Sequence, residues 1–392
     1  QMGSVTKIFT ATLLLTLADE GLLDLDAPLI DVLQELTWGD AAAREIVTAR
    51  HLLTHTSGID GDHFLDLGRG EDVLERYVGT CGDLAQVLPP DAAWSYCNTG
   101  FAIAGRLIEK LTGQTYDDAL AERLLRPLGM THSCTLPEEA LRHRAAFGHV
   151  PGADGLELAP IVATPRTMGP AGGLAASAAD ALAFARLLLD GGLGPDGARL
   201  LSEDVIAAAL TPQIDVPDPG MGSAWGLGFM LDEWDGARIA GHDGGTVGQG
   251  ASLRILPEHN VAIVVLGNGP GLGEAMKTLV AEVVEETCGI HAPDDLVPAP
   301  DAVVDVADWA GVYERANMRI AVSADGPAVE IGIAGLAAES LGQDSFAGAI
   351  QRATDGTYLT DALGIFMPIV PISLADGSRA LHFAGRVQPQ VA

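Results

Sequence analysis

The chain has 392 residues, with 22 Lys and Arg against 53 Asp and Glu, a net charge of −31. That length can bury large cores and predicts two domains. The acidic surface repels phosphate backbones, which argues against a nucleic-acid partner, and no uninterrupted apolar run reaches membrane-span length, so no membrane partner is expected. The four cysteines, Cys81, Cys97, Cys134 and Cys288, lack paired spacing and fit reduced thiols in a cytoplasmic setting.

In chain order, Ser4 comes first, just ahead of an almost wholly apolar run from Ile8 to Ala18. This predicts a buried helix with Ser4 in its first turn and Lys7 on the same face. A serine hydroxyl needs a base to become a good nucleophile. A buried lysine kept neutral can be that base. His51 and His55 have a spacing that could ligate zinc, but Leu52 stands where a zinc-protease motif has glutamate, so no metal is expected. Asp60, Asp62, Asp66, Arg69, Glu71 and Asp72 read as a solvated, charged loop at a cleft rim. Tyr96-Cys97-Asn98 lies between the turn-rich Pro89-Pro90-Asp91 and a helix from Gly100 to Leu111 that Gly113 would end. Cys97 is read as a packing residue.

Ser177 and Asp180 resemble a capping box before a helix containing Phe184 and Leu187 to Leu189. Strands are predicted at Trp225 to Leu231, Ala237 to Gly241, Ala251 to Leu256 and Val261 to Leu266, with Pro257 to Asn260 as a hairpin turn. His242-Asp243-Gly244-Gly245 follows the second of these strands. The glycines of Gly241 to Gly250 lack the lysine and hydroxyl of a phosphate loop. A helix is expected from about Gly273 to Thr287. Residues 291–302, with Pro293, Pro298 and Pro300, read as a linker. Beyond it, short β-like runs with turns such as Ala324-Asp325-Gly326 and Asp376-Gly377 predict a small antiparallel barrel over residues 303–392 that borders the cleft.

The segments Ser4-Val5-Thr6-Lys7, Tyr96-Cys97-Asn98 and His242-Asp243-Gly244 resemble the three motifs of the penicillin-recognising serine enzymes. His51 to Gly58, Pro127-Leu128-Gly129-Met130 and Gly172-Gly173-Leu174 look like further family segments in family order. The resemblance covers roughly residues 2–290. It implies an α/β (α+β) fold: a β-lactamase/transpeptidase-like domain over residues 1–290, its antiparallel sheet flanked by helices, then a C-terminal antiparallel lipocalin-like β-barrel. Family members normally have strands ahead of the nucleophile. Residues preceding Gln1 are therefore expected to pair with the strands around Ala251 to Leu266.

Ser4 is expected to attack an acyl carbon, with Lys7 helping to deprotonate it. Tyr96 would pass a proton to the leaving group and then activate the second nucleophile, with Lys7 making its tyrosinate accessible. Asn98 would bond a substrate carbonyl and hold Lys7. The resemblance places the oxyanion hole at the backbone N–H groups of Ser4 and Gly245. His242 stands where many lactamases and DD-peptidases have lysine, which favours the esterase, D-aminopeptidase and thioesterase branches. The expected activity is a serine hydrolase or acyltransferase on peptidyl or aminoacyl esters, thioesters or amides with D-residue preference. One form is a penicillin-binding-protein-type thioesterase that cyclises a peptide. The alternative is a β-lactamase, a DD-peptidase or a receptor that stays acylated. The substrate would be a small molecule or peptide, free or on a carrier protein. No cofactor is called for, and the sequence sets no oligomeric state.

Overall fold

The computed structural model describes every residue except 153, 324, 336, 337, 339–341 and 392. The turn expected at Ala324-Asp325-Gly326 therefore begins on a residue outside the described set.

Helix α1, Thr6–Asp19, follows a single 3₁₀ turn at Gly3–Val5 and is buried on nearly every face. Its apolar residues explain this only in part, since four threonines are buried with them. Thr12 returns its hydroxyl to the Ile8 carbonyl and Thr16 to that of Leu13, while Thr10 reaches the Pro170 carbonyl. No hydroxyl of these three is left unpaired, so the helix can sit inside the core. Helix α2, Asn98–Thr112, packs beside α1 and ends at Gly113 in the left-handed conformation, as its sequence predicts.

Six antiparallel strands form one meander: β1 Ile214–Asp215, β2 Ala224–Trp225, β3 Met230–Trp234, β4 Ala237–Thr246, β5 Gln249–Leu256 and β6 Val261–Gly267. Helix α3, Ala178–Leu189, packs on β6 from one face, where Phe184 stacks on Phe9 of α1 at 3.9 Å. Helix α4, Leu272–Cys288, packs on β5 and β6. Its Val280 and Val284 join Trp234, Ile239 and Leu256 in a second apolar cluster. The sheet is thus a middle layer with helices on both faces.

Three details differ from the sequence reading. The run Trp225 to Leu231 is not one strand. Gly228 sits at φ +87, and a Cβ there would come within 2.3 Å of the Ala11 Cβ. Close packing against α1 bends the chain out of the sheet between β2 and β3. The strand expected to stop at Gly241 continues to Thr246, because Gly244 and Gly245 pair with Ala251 and Gly250 of β5. Ser177 does cap α3, accepting from the Asp180 N–H at 3.2 Å, but the Asp180 carboxylate turns to the His132 N–H and Ser133 hydroxyl. The reciprocal half of a capping box is absent. The hairpin turn before β6 forms as read, with Asn260 at φ +53.

After α4 the backbone is irregular until β7, Gly311–Arg315. The following strands are β8 Met318–Ser323, β9 Ala328–Ile333, β10 Ser345–Arg352, β11 Tyr358–Thr360, β12 Met367–Ser373, β13 Arg379–Phe383 and β14 Arg386–Pro389. They pair in sequence order, all antiparallel. The ends approach each other where the Val391 N–H donates to the Val312 carbonyl at 2.8 Å, nearly closing a barrel around Tyr313, Ile331, Ile369 and Phe383. Among the described residues no helix is long and apolar enough to cross a membrane.

Candidate active site

A glycine pair lets the sheet edge meet the serine turn. Gly3 has φ +51, and a Cβ there would sit 2.6 Å from the Gly245 nitrogen. A Cβ on Gly244 would lie 1.9 Å from the Met2 carbonyl oxygen and 2.9 Å from the Ser4 nitrogen. Only glycine permits this approach of the β4 backbone to the turn. The Ser4 and Gly245 amides therefore belong to segments in direct contact.

Lys7 projects from the first turn of α1 and is fully buried. Its Nζ lies 2.7 Å from Asn98 Oδ1, 2.7 Å from the Ala171 carbonyl oxygen and 3.1 Å from Ser4 Oγ. The two carbonyl oxygens can only accept, so each takes an N–H of the amine. A neutral amine has two N–H bonds and one lone pair. With both hydrogens committed, the lone pair faces the Ser4 hydroxyl. Burial, and after it the nearby Arg386 cation, holds Lys7 well below the usual lysine range.

Asn98 is the first residue of α2. Its N–H donates to the Gly61 carbonyl at 2.9 Å and its Nδ2 to Asp62 Oδ1 at 3.2 Å. Cys97 does more than pack. Its sulfur caps α2 by accepting from the Gly100 N–H at 3.2 Å. Burial pushes the thiol up to about 12, so it stays protonated. The Cys97 N–H donates to His55 Nδ1 at 2.9 Å, which leaves the His55 proton on Nε2.

The Tyr96 oxygen is 3.4 Å from His242 Nε2. His242 Nδ1 faces the Asp243 carbonyl, which can only accept. Nδ1 therefore holds the ring proton and Nε2 accepts from the phenol. Burial, with Lys7 next, lowers His242 and keeps it neutral. The tyrosinate expected beside Lys7 is corrected here. Burial raises the Tyr96 phenol above the ordinary tyrosine range, and the adjacent Ser4 hydroxyl offsets this only in part.

Ser4, Lys7, Tyr96, Asn98 and His242 thus converge, although they come from one turn, two helices, a loop and a strand. His51 and His55 do not converge: His51 turns to Thr48 and Asp91, His55 to Cys97. The charged loop also splits. Asp66, Arg69, Glu71 and Asp72 are exposed as read. Asp60 is buried and the Asp62 side chain is only 12% exposed, because Arg315 and Arg386 of the barrel pair with them. Sequence reasoning missed Asp62, His55, Ala171 and Arg386 as neighbours of the site. Arg386 could not have been found by spacing, since it lies 324 positions from Asp62.

A protein-family model described as beta-lactamase matches residues 1–285. The chain belongs to the beta-lactamase family. It is a member of the penicillin-binding-protein-like serine hydrolases, which act on small-molecule or peptide substrates. Penicillin-binding protein 4 of Amycolatopsis lactamdurans is 45% identical over 321 residues, covering 80% of this chain and 84% of that one. The crystal structure of SurE, also solved with D-Leu, superposes with TM-score 0.78 at 26% identity, covering 100% of this chain and 87% of that one. A D-stereospecific amidohydrolase from Streptomyces sp. superposes at TM-score 0.58 and 28% identity, over 74% of this chain and 86% of that one.

Proposed function

We propose that this family member forms an acyl-enzyme on Ser4 and acts on peptidyl or aminoacyl thioesters, esters or amides whose acyl part ends in a D-residue. The observation that supports it best is the commitment of both Lys7 amine hydrogens to Asn98 and Ala171, with the remaining lone pair toward Ser4. Lys7 takes the Ser4 proton as Oγ bonds the acyl carbon. The carbonyl electrons move to oxygen, where the Ser4 and Gly245 N–H groups receive the negative charge. As the tetrahedral species collapses, the leaving group departs with a proton relayed through Tyr96. Water or an amine then attacks the ester, passing its own proton back through Tyr96 and Lys7, and Ser4 is released. With phenol and amine both neutral, this relay needs no tyrosinate. Asn98 also offers its amide to a substrate carbonyl.

The D-configuration is supported by the likeness over the whole chain to SurE, which has been solved with D-Leu, and by the D-stereospecific amidohydrolase. His242, neutral in place of a permanent cation, disfavours a free substrate carboxylate at β4. An amine as second nucleophile would give a cyclic peptide, and the free cysteines support a cytoplasmic setting. The 45% identical penicillin-binding protein favours a second reading, a receptor that acylates with penicillin and turns over slowly.

The test is a pair of N-acetylcysteamine peptide thioesters that differ only in the configuration of the terminal residue, with products separated by mass. Faster consumption of the D-form is expected. A cyclic product selects acyl transfer and the acid alone selects hydrolysis. Equal rates for both forms, or efficient nitrocefin turnover, would reject the D-peptidyl reading, and a penicillin adduct that persists for hours would favour the receptor.

A further inference from the structure

We propose that Arg386, at the tip of the last barrel hairpin, is a positioning residue of the acyl-transfer site, acting through Asp62 and Asn98 on Lys7, so that the barrel completes the catalytic apparatus. This rests on the acyl-enzyme reading above.

The hairpin between β13 and β14 points into the catalytic part. Ala384 and Gly385 turn it at φ +51 and +76. The Gly385 carbonyl accepts from the Tyr96 N–H at 2.9 Å, the Gly385 N–H donates to Asp218 Oδ2 at 3.3 Å, and the Val387 N–H donates to Ser95 Oγ at 3.2 Å. The tip is therefore bonded on both sides of Arg386, twice to the segment that holds Tyr96. The Arg386 guanidinium lies 4.8 Å over the Tyr96 ring. Its Nε and Nη2 meet the two Asp62 oxygens at 3.1 and 2.9 Å, and Nη1 meets the Ala384 carbonyl at 3.2 Å. That fork is occupied, so it is not available for the bidentate capture of a substrate carboxylate. Arg315 of β7 braces the same carboxylate at 2.8 Å.

Asp62 passes this on. Its Oδ1 accepts from Asn98 Nδ2. An asparagine amide has a donor end and an acceptor end. Once the donor end is tied to Asp62, the oxygen end must face Lys7. A side chain turned the other way would present N–H groups to the amine and compete for its lone pair. Gly61 fastens the same loop to the start of α2, accepting from both the Asn98 and Thr99 N–H groups at 2.9 and 3.0 Å.

The titratable groups that face Lys7 are Tyr96, Cys97, His55, His242, Asp62 and Arg386. Burial keeps the first four neutral near neutral pH, which leaves Asp62 and Arg386 as charges. The Arg386 cation disfavours protonated Lys7, and the Asp62 carboxylate favours it. Loss of Arg386 must raise the Lys7 pKa, and loss of the Asp62 charge must lower it.

The test is the rate of fluorophosphonate labelling of the full chain against pH, read by intact mass, for wild type, Arg386→Gln, Arg386→Lys and Asp62→Asn. Circular dichroism and thermal melting serve as fold controls. Arg386→Gln should slow saturated labelling roughly 10- to 100-fold, the scale of a displaced reacting group, with little change in the half-saturating concentration. Its acid limb should move to higher pH and that of Asp62→Asn to lower pH. Arg386→Lys, which keeps the charge and loses the fork, should hold the limb in place and restore part of the rate. A folded Arg386→Gln with wild-type rate and limb overturns the proposal, as do limbs that move the same way in both variants. If Arg386→Gln does not fold, Arg386→Lys decides: an undiminished rate overturns the role of the fork. Labelling that survives in Ser4→Ala refutes the acyl-enzyme reading itself. Loss in Ser4→Ala with full retention in Arg386→Gln refutes the barrel's role alone.

Discussion

In the proposed reaction Lys7 can take the Ser4 proton only as an uncharged amine. The same burial that secures this works against the folded state, because an ammonium is stable in the unfolded chain up to the ordinary lysine pKa. The folded pKa is depressed, so the unfolded state binds more protons over the interval between the two values. The destabilisation is complete below the folded pKa and fades as pH rises toward the unfolded one. The melting temperature of Lys7→Met should therefore gain on that of wild type as pH falls from about 10 toward neutral, on top of a constant cost from the Asn98 and Ala171 oxygens left unpaired. A difference between the two melting curves that does not change over this pH range would contradict the depressed pKa of the buried lysine. For activity the sign runs the same way: the rate should rise with pH through the Lys7 pKa. No alkaline fall from Tyr96 is expected below the ordinary tyrosine value, since burial raises that group. Lys7→Ala and Tyr96→Phe should each lower the rate by at least ~10²-fold, the usual scale of general acid–base help.

Among the elements, the contact between β4 and the Gly3–Val5 turn sets the proposed oxyanion site. Gly244→Ala places a Cβ 1.9 Å from the Met2 carbonyl oxygen, so strand and turn must separate. Removing one oxyanion donor costs about 10²–10³ in kcat, and a loss of that size is expected. Gly245→Ala meets nothing nearer than 4.0 Å, so its melting temperature should stay close to wild type. Steady-state rates and melting curves of the two variants check this, and equal tolerance of both would argue against the close approach. Much of this was legible in the sequence. The Ser4–Lys7 spacing, the apolar run behind it and the glycines after His242 each state a local requirement. The break at Gly228 was hidden because the atom that excludes a Cβ there belongs to Ala11, far away in the chain. Asp60 and Asp62 read as solvated because their partners lie in the barrel. Periodicity reports a segment's own surroundings and is silent on which distant charge will neutralise it.

Across the whole molecule, the barrel reaches the site through Arg315 and Arg386, which pair with Asp62. We propose the domain boundary at residues 291–302, where Ala299 is already tied to Arg352 of the barrel at 2.8 Å while His291 is tied to Asp235 of the catalytic part, also at 2.8 Å. The ion pairs from the barrel to the Asp62 loop need ionised Asp62, whose carboxyl is held below the usual carboxylate range by Arg386 and Arg315 despite its burial. A depressed folded pKa gives stability that is fully present above the ordinary value near 3.9 and is lost only as pH falls below it. Activity lost as pH falls through the Lys7 pKa should thus be regained on return to neutral pH, with the barrel still docked wherever the pH stays above the ordinary carboxylate range. Trp94 lies 5.5 Å from His382 of the barrel, and Trp225 lies 5.2 Å from Trp94. Tryptophan emission should stay constant from pH 7 down to about 5, whatever activity is lost over that range, and a parallel change in both would point to undocking.

The central claim is a lysine-activated acyl-enzyme on Ser4. The most direct measurement is to mix the protein with a D-terminated peptidyl thioester, quench in acid, and map the adduct by intact mass and peptide sequencing. The expected result is one acyl group on the peptide containing Ser4, absent from Ser4→Ala and formed far more slowly by Lys7→Ala. An acyl group on another residue, or one that persists in Ser4→Ala, would contradict the account.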